Sequence, residues 1–304
     1  MALRSLLLYL SRRKRLRRWM ETSPLAERLT ERFIAGLTLD DGLSVCERLE
    51  RERILVSMDR LGESVTSPAE AEASRDSYLE ILHRIAAAGF EASISIKLTQ
   101  FGLDLAEDAC RANVERLVGE AARLGKTVEI DMESSEYTDR TLDIACAMHA
   151  AHGNVRAVVQ AYLRRSAKDI ERMCDLRVPV RLCKGAYKEP ASVAFATKRE
   201  VDESYIRLMR VLLERGAYPG LATHDPRIIE EAHRFARECG IPAQRYEFQM
   251  LYGIRRDLAR RFVAEGYRIR LYVPFGEAWY PYFMRRLAER PANVLFLVRN
   301  MFKG

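Results

Sequence analysis

The most concentrated chemistry in this 304-residue chain lies near its C-terminus, in Trp279-Tyr-Pro-Tyr-Phe-Met-Arg285-Arg286-Leu-Ala-Glu289. On a helix, Glu289 stands four residues after Arg285 and three after Arg286, so its carboxylate can orient either guanidinium. Two forked cations side by side suit bidentate capture of a planar anion such as a carboxylate. Arg-Arg pairs recur at Arg164-Arg165, Arg255-Arg256 and Arg260-Arg261, so on its own the C-terminal pair reads as a solvated basic helix face. The C-terminal pair differs in its aromatic company, Tyr272, Tyr280 and Tyr282. Stacked rings with forked cations fit a small, partly apolar carboxylate.

A second set of polar residues recurs at the ends of short apolar runs. Lys97 ends one, Asp131 and Gln160 the next two. Arg181 and Lys184 end another, followed by Thr223, His224 and Asp225, then Gln249, then Tyr272. Lys97 and Asp131 come from neighbouring runs and are placed to pair, which keeps both charged in a partly dry cavity. Other candidates carry less. His149 and His152 have helix-compatible metal spacing but no carboxylate or cysteine at matching offsets, so they read as the exposed end of a helix. Cys183 lacks a histidine base and reads as a small buried hydrophobe. Ser134-Ser135 reads as a helix cap.

The elements that position these residues alternate along the chain. The apolar runs are Ile54–Met58, Ser93–Lys97, Val128–Met132, Arg156–Ala161, Val178–Cys183, Gly220–His224, Tyr246–Met250 and Arg268–Val273. They are short and mostly β-branched or aromatic, as buried parallel strands are. Segments of helical periodicity separate them, among them Ala69–Ala88, Leu105–Leu124, Ser192–Arg215 and Pro226–Cys239. Eight β-then-α units predict an α/β fold, a (β/α)8 barrel of the TIM type, whose active site forms at the C-terminal strand ends. A doubly wound sheet is the rival, but none of the 16 glycines forms even a G-x-G, and no P-loop ending is present. Ahead of the barrel, residues 24–51 read as helical, with Thr38-Leu-Asp-Asp41 as a cap.

Composition belongs to a globular protein, 48% hydrophobic and 31% charged, with a formal net charge of +7. Arg4, Arg12, Arg13, Lys14, Arg15, Arg17 and Arg18, with no acid among the first twenty residues, account for all of it. The remainder is neutral, which argues against a nucleic-acid-binding face. The short apolar stretch Leu6–Leu10 precedes the basic run, the reverse of a secretory signal, and no stretch approaches membrane-spanning length. Six scattered cysteines without a C-x-x-C pair read as a reducing, cytoplasmic setting.

Taken together, Ser95-Ile-Lys97-Leu-Thr-Gln, Glu129-Ile-Asp131-Met-Glu-Ser, Val180-Arg181-Leu-Cys-Lys184-Gly185-Ala186-Tyr187, Ala222-Thr223-His224-Asp225, Tyr246–Met250 and Tyr272-x-Pro-x-Gly276 followed by Arg285-Arg286 resemble the flavin-dependent proline dehydrogenase family, in its short monofunctional bacterial form. The resemblance covers roughly residues 43–300, in order. It implies a distorted (β/α)8 barrel that binds FAD noncovalently and oxidises L-proline to 1-pyrroline-5-carboxylate, passing electrons to a membrane quinone. Arg285, Arg286 and Lys97 then resemble the cations on the substrate carboxylate, with Glu289 orienting the arginines. Asp131 is similar to the family's strand-end active-site aspartate, and Tyr187, Tyr272 and Tyr282 to the walls of the proline cavity. Arg181 resembles the arginine beside the flavin N5. Met132, Gln160, Lys184, Gly185, Ala186, Thr223 and His224 look like cofactor contacts. The larger bifunctional relatives carry a fused aldehyde dehydrogenase that this chain lacks, so the product is expected to leave for a separate pyrroline-5-carboxylate dehydrogenase.

The expected organisation is a basic tail over 1–20, a helical segment over 21–52 and a flavin-binding catalytic barrel over 53–304. Because the implied acceptor lies in a membrane, Leu6–Leu10 and Arg12–Arg18 read as an interfacial segment attracted to anionic lipid on the inner face of the cytoplasmic membrane, at about 1 kcal/mol per basic residue. A solubilising extension is the other reading. Two rivals to the flavoenzyme are a Schiff-base aldolase barrel using Lys97 or Lys184, and a peripheral membrane or RNA-binding module acting through residues 1–20.

Overall fold

The computed structural model describes residues 32–62 and 64–289, and of 285–289 the backbone alone. The basic segment 1–20, residues 21–31, and the side chains of Arg285, Arg286 and Glu289 therefore lie outside the described residues.

All eight apolar runs form strands: β1 (Leu55–Arg60), β2 (Ala92–Ile96), β3 (Val128–Ile130), β4 (Val155–Gln160), β5 (Val180–Cys183), β6 (Gly220–Ala222), β7 (Glu247–Leu251) and β8 (Ile269–Phe275). Each pairs in parallel with the next, and β8 closes on β1 over six residues, from Leu55↔Arg270 to Arg60↔Phe275. The result is the expected (β/α)8 barrel. Helix α1 (Leu39–Arg51) precedes it, and α2 (Pro68–Ala87), α3 (Glu107–Arg123), α4 (Thr138–His152), α5 (Ser166–Asp175), α6 (Lys198–Arg215), α7 (Pro226–Glu238), α8 (Arg256–Ala264) and α9 (Trp279–Glu289) follow the strands in turn.

Alternation along each strand divides the side chains between two environments. Val56, Met58, Ile94, Ile96, Val128, Ile130, Leu182, Phe248 and Leu271 join the apolar layer under the helices, against residues such as Ile81, Leu82, Val114 and Leu117. Removing this surface from water is the main force that closes the barrel.

The α1 cap stands where expected. Thr38 Oγ1 accepts from Asp41 N at 3.2 Å, and Asp41 accepts from Thr38 N at 2.9 Å. The helix does not extend back through 32–38, however. Gly36 takes a left-handed φ of +128°, and Phe33 and Ile34 turn away to pack with Leu61, Trp279, Tyr280 and Phe283. Burial of that apolar pair outweighs local helical periodicity.

Inside the barrel the structure departs from the branched aliphatic layers usual for this fold. Glu129, Arg156, Glu247 and Arg270 are buried there with Ser57, Ser93 and Ser95. Glu247 accepts from Arg156 at 2.6 Å and from Arg270 Nε at 2.7 Å, and Ser93 donates to Glu129 at 2.7 Å. Burial alone would raise the Glu129 carboxyl. The guanidinium groups of Arg181, Arg156 and Arg270 outweigh it and hold it at about 2.

Candidate active site

At the C-terminal end of the barrel, three strands deliver oxygens to one ammonium. Lys97 follows β2, and its Nζ donates at 3.2 Å to Asp59 of β1, to Asp131 just after β3 and to the Tyr272 phenol of β8. The phenol in turn donates to Asp131 Oδ2 at 2.9 Å. Burial and the adjacent Asp131 carboxylate push Tyr272 well above the ordinary phenol range, so it stays protonated and donating. The Lys97–Asp131 pair read from the sequence is thus present, with Tyr272 bonded to both.

Arg181 lies one layer deeper than a strand end. It is the second residue of β5, 5% exposed, and joins the charged interior to the floor of the site. Its Nη1 donates to Asp131 Oδ1 at 2.6 Å and its Nε to Gln249 at 2.6 Å. Its Nη2 reaches Ser95 at 3.0 Å, Ser57 at 3.3 Å and Glu129. A planar fork tied along three edges cannot turn, so this cation is fixed before any ligand arrives. Its guanidinium carbon lies 5.3 Å from the centre of the Tyr272 ring.

These groups floor a cavity of about 1470 Å³ that spans the strand ends. Met132, Gln160, Lys184, Gly185, Ala186, Tyr187, Thr223, His224 and Tyr282 all line it, so the described side chains to which the family resemblance gives a role meet in one cavity. Details differ from expectation. Lys184 is paired with Asp202 and, at 2.9 Å, with Asp225, so its charge is met within the protein. Gly185 has φ +106°, and a Cβ there would come within 2.2 Å of the Tyr162 ring. That close approach of ring and backbone demands glycine. Tyr187 is 41% exposed and stands at the mouth. Gln160 Nε2 donates to the Glu133 carbonyl at 2.7 Å, and His224 Nε2 accepts from Leu251 N at 3.1 Å, which fixes its tautomer.

Other readings are corrected. Tyr280 is fully buried in the small apolar cluster beside Trp279 and does not line the cavity. Ser134-Ser135 does not cap through a side chain; Ser135 N donates instead to Glu189 at 2.7 Å. Cys183 is half-buried and lines the cavity rather than filling the core. His149 and His152 do end α4, bonded to Val155 O and Glu115. Among the described residues no acid, histidine and cysteine group is placed to hold a metal. Asp59 went unnoticed because the first run reads as ending at Met58, whereas pairing with β8 carries β1 on to Arg60.

The cavity exceeds the ordinary 300–1,000 Å³ of a small-molecule site, large enough for a dinucleotide with a small substrate. Met132, Val158, Cys183, Ala222 and Met250 supply apolar surface, and Gln160 and Thr223 supply hydrogen-bonding groups, while the Gln249 amide is engaged by Arg181 and Glu247. That donor set fits a flat heteroaromatic ring with polar edges. Lys188, Lys198 and Arg255 add cations toward the rim. On the floor, Lys97, Arg181 and Tyr272 can anchor and polarise a small anion-bearing substrate.

A parallel eight-stranded barrel with a large, charge-lined cavity over its C-terminal strand ends has the site geometry of a (β/α)8 enzyme. The model of the family described as "Proline dehydrogenase" matches residues 43–299. The proline dehydrogenase of Deinococcus radiodurans is 41% identical over 281 residues, 91% of each chain. Proline dehydrogenase 1 of Bacillus subtilis is 39% identical over 302 residues, 99% of each. The bifunctional protein PutA of Escherichia coli is 29% identical over 88% of this chain and 24% of its own length. Among solved structures, proline utilization A from Bdellovibrio bacteriovorus, inactivated by N-propargylglycine, superposes with a TM-score of 0.81 at 25% identity, covering 87% of this chain and 33% of that one. The chain belongs to the proline dehydrogenase family, and as such is an oxidoreductase that oxidises proline.

Proposed function

We propose that the enzyme uses noncovalently bound FAD to oxidise L-proline to 1-pyrroline-5-carboxylate, and that the reduced flavin passes its electrons to a membrane quinone. The observation that carries this reading is the Lys97–Asp131–Tyr272 cluster tied to Arg181 on the floor of a cavity of about 1470 Å³. FAD, when bound, supplies the two-electron acceptor for a hydride. Met132, Gln160, Lys184, Gly185, Ala186, Thr223 and His224 would hold it, with Arg181 beside the ring.

The protein's own contribution is orientation and charge. Oxidation removes a proton from the proline nitrogen and a hydride from the ring carbon beside it, leaving a carbon–nitrogen double bond. Lys97, with Arg285 and Arg286 oriented by Glu289, grips the carboxylate, while Tyr187, Tyr272 and Tyr282 wall the ring. Arg181, held by Asp131, stabilises negative charge that accumulates on the acceptor side. A Schiff-base lysine must lose its proton, and Lys97, ringed by two carboxylates and a phenol, is held charged instead, while the Lys184 ammonium is bonded to two aspartates.

The purified protein is expected to show flavin absorbance bands that bleach when L-proline is added without oxygen. Absence of flavin after expression with adequate riboflavin would sink the proposal. Arg285→Met and Arg286→Met are expected to raise the KM for proline more than about tenfold, from loss of a charge-assisted bond. An unchanged KM in both removes them from the site. We further propose that residues 1–20 act as a basic tail that contacts anionic membrane, followed by an N-terminal segment over 21–52 that is helical in α1 (Leu39–Arg51) and by the barrel over 53–304. No helix among the described residues is long and apolar enough to cross a membrane. Binding to anionic vesicles at low salt and not at high salt supports the tail's role, and no binding at either discards it. The product is then passed to a separate dehydrogenase.

A further inference from the structure

Asp59 lines the cavity and is 1% exposed. Its Oδ1 accepts from Lys97 at 3.2 Å and from the Tyr78 phenol at 3.4 Å. Its Oδ2 is buried with no hydrogen-bond partner among the described residues. Burying a carboxylate with one oxygen unsatisfied is costly. The Tyr78 phenol is not tied to Asp59 alone, since it also reaches the Arg60 carbonyl at 3.3 Å. An exception of this kind calls for an explanation.

The explanation lies in how Lys97 is held. A four-carbon side chain is not positioned by its backbone alone, and the ammonium is located by oxygens from three strands. Two of these are engaged with one another or with Arg181: Asp131 is taken on its other oxygen by Arg181 at 2.6 Å, and Tyr272 spends its proton on Asp131. Asp59 is the carboxylate of the three-strand set that makes no bond to Arg181.

We infer that Asp59 is a positioning residue for proline oxidation, holding the Lys97 ammonium charged and fixed on the cavity floor while Asp131 serves Arg181. The inference rests on the reading above that Lys97 grips the substrate carboxylate. Among the described residues, the titratable groups facing Lys97 are Asp59 from β1, Tyr78 from α2, Asp131 and Glu133 after β3, and Tyr272 from β8. Burial on its own would lower the Lys97 ammonium. Asp59 is the strongest of the charges that raise it, ahead of Tyr272 and Asp131, and Lys97 ends well above the ordinary lysine range. Replacing Asp59 by a neutral residue removes that support and leaves the burial, so the ammonium gives up its proton at lower pH.

The test is steady-state dye reduction by the holoenzyme across pH, for Asp59→Asn, Lys97→Met and the double variant. Asp59→Asn is expected to raise the proline KM about tenfold and change kcat less than about threefold. The alkaline fall of its kcat/KM moves to lower pH, which a merely structural defect would not cause. In the Lys97→Met background, Asp59→Asn should cost less than about twofold more, because a residue acting through Lys97 has nothing left to act on. A wild-type KM with an unmoved alkaline limb overturns the inference, as do additive losses. A wild-type KM in Lys97→Met would instead remove the reading of Lys97 on which it rests. Should Asp59→Asn fail to fold alone, Lys97→Met against the double variant still decides, since the lysine that Asp59 serves is then absent from both.

Discussion

Two clusters of charge occupy the same strands about two residues apart, and their fates differ. On β3, Glu129 belongs to the lower cluster and Asp131, just beyond, to the upper. On β8, Arg270 stands below and Tyr272 above; on β2, Ser95 below and Lys97 above. The lower cluster of Glu129, Glu247, Arg156 and Arg270 is closed off, with both glutamates wholly inaccessible. In the upper cluster the Lys97 side chain remains 23% exposed and that of Asp131 13%. Similar residue types thus do different work: sealed from water they hold the barrel interior in one arrangement, and opened to a cavity they can engage a ligand. Arg181 belongs to both, bonded down to Glu129 and up to Asp131.

If that division is right, the largest stability loss belongs below. Glu247→Ala strands two buried guanidinium groups and is expected to cost about 3–5 kcal/mol in urea unfolding. Lys97→Met, at the partly open floor, should cost less than half as much while abolishing tight proline binding. A reversed order would break the comparison. Arg181→Lys cannot serve Gln249, Asp131, Ser95 and Glu129 at once. It should lower kcat/KM about a hundredfold or more and lose stability as well, a joint effect that sharpens its assignment to both clusters.

Acid separates the clusters in another way. The Glu129 carboxyl is held at about 2 in the folded protein, below its ordinary 4.5. A lowered carboxyl contributes stability above its unfolded value and loses it as pH falls toward the folded one. Wild-type stability should therefore decline between about pH 4.5 and pH 2, and Glu129→Gln should flatten part of that decline. An unchanged acid limb would show that Glu129 is not a linchpin of the interior. The smallest effect is local. Gly185→Ala meets both a left-handed backbone and the Tyr162 ring, and should cost about 2 kcal/mol; Gly240→Ala, at φ +64° with open space around it, should cost about 1 kcal/mol. Equal costs would remove the ring contact as the reason for glycine at 185.

Much of this site was legible before any coordinates, since a barrel places strand-end residues at one rim and Lys97, Asp131, Thr223 and Tyr272 follow recognisable runs. Asp59 was not, because the apolar run stops at Met58 and only pairing with Pro274 and Phe275 shows the strand continuing. Glu129, Arg156, Glu247 and Arg270 stood inside runs read as buried parallel strands, and no pairing was drawn from their charges. Their signal was available in principle: a closed parallel barrel has no wet face, so two acids and two arginines at alternating positions must meet one another.

Periodicity and the spacing of polar groups were sufficient, in the sequence alone, for the count and order of the strands and for the end of the barrel that holds the large cavity. These are local properties, written in the alternation of apolar and polar side chains. Which carboxylate holds which cation was decided by the tertiary structure. Lys97 and Tyr272 lie 175 residues apart and meet only when β8 closes on β1, and the strength of a charge pair depends on burial that no linear pattern records.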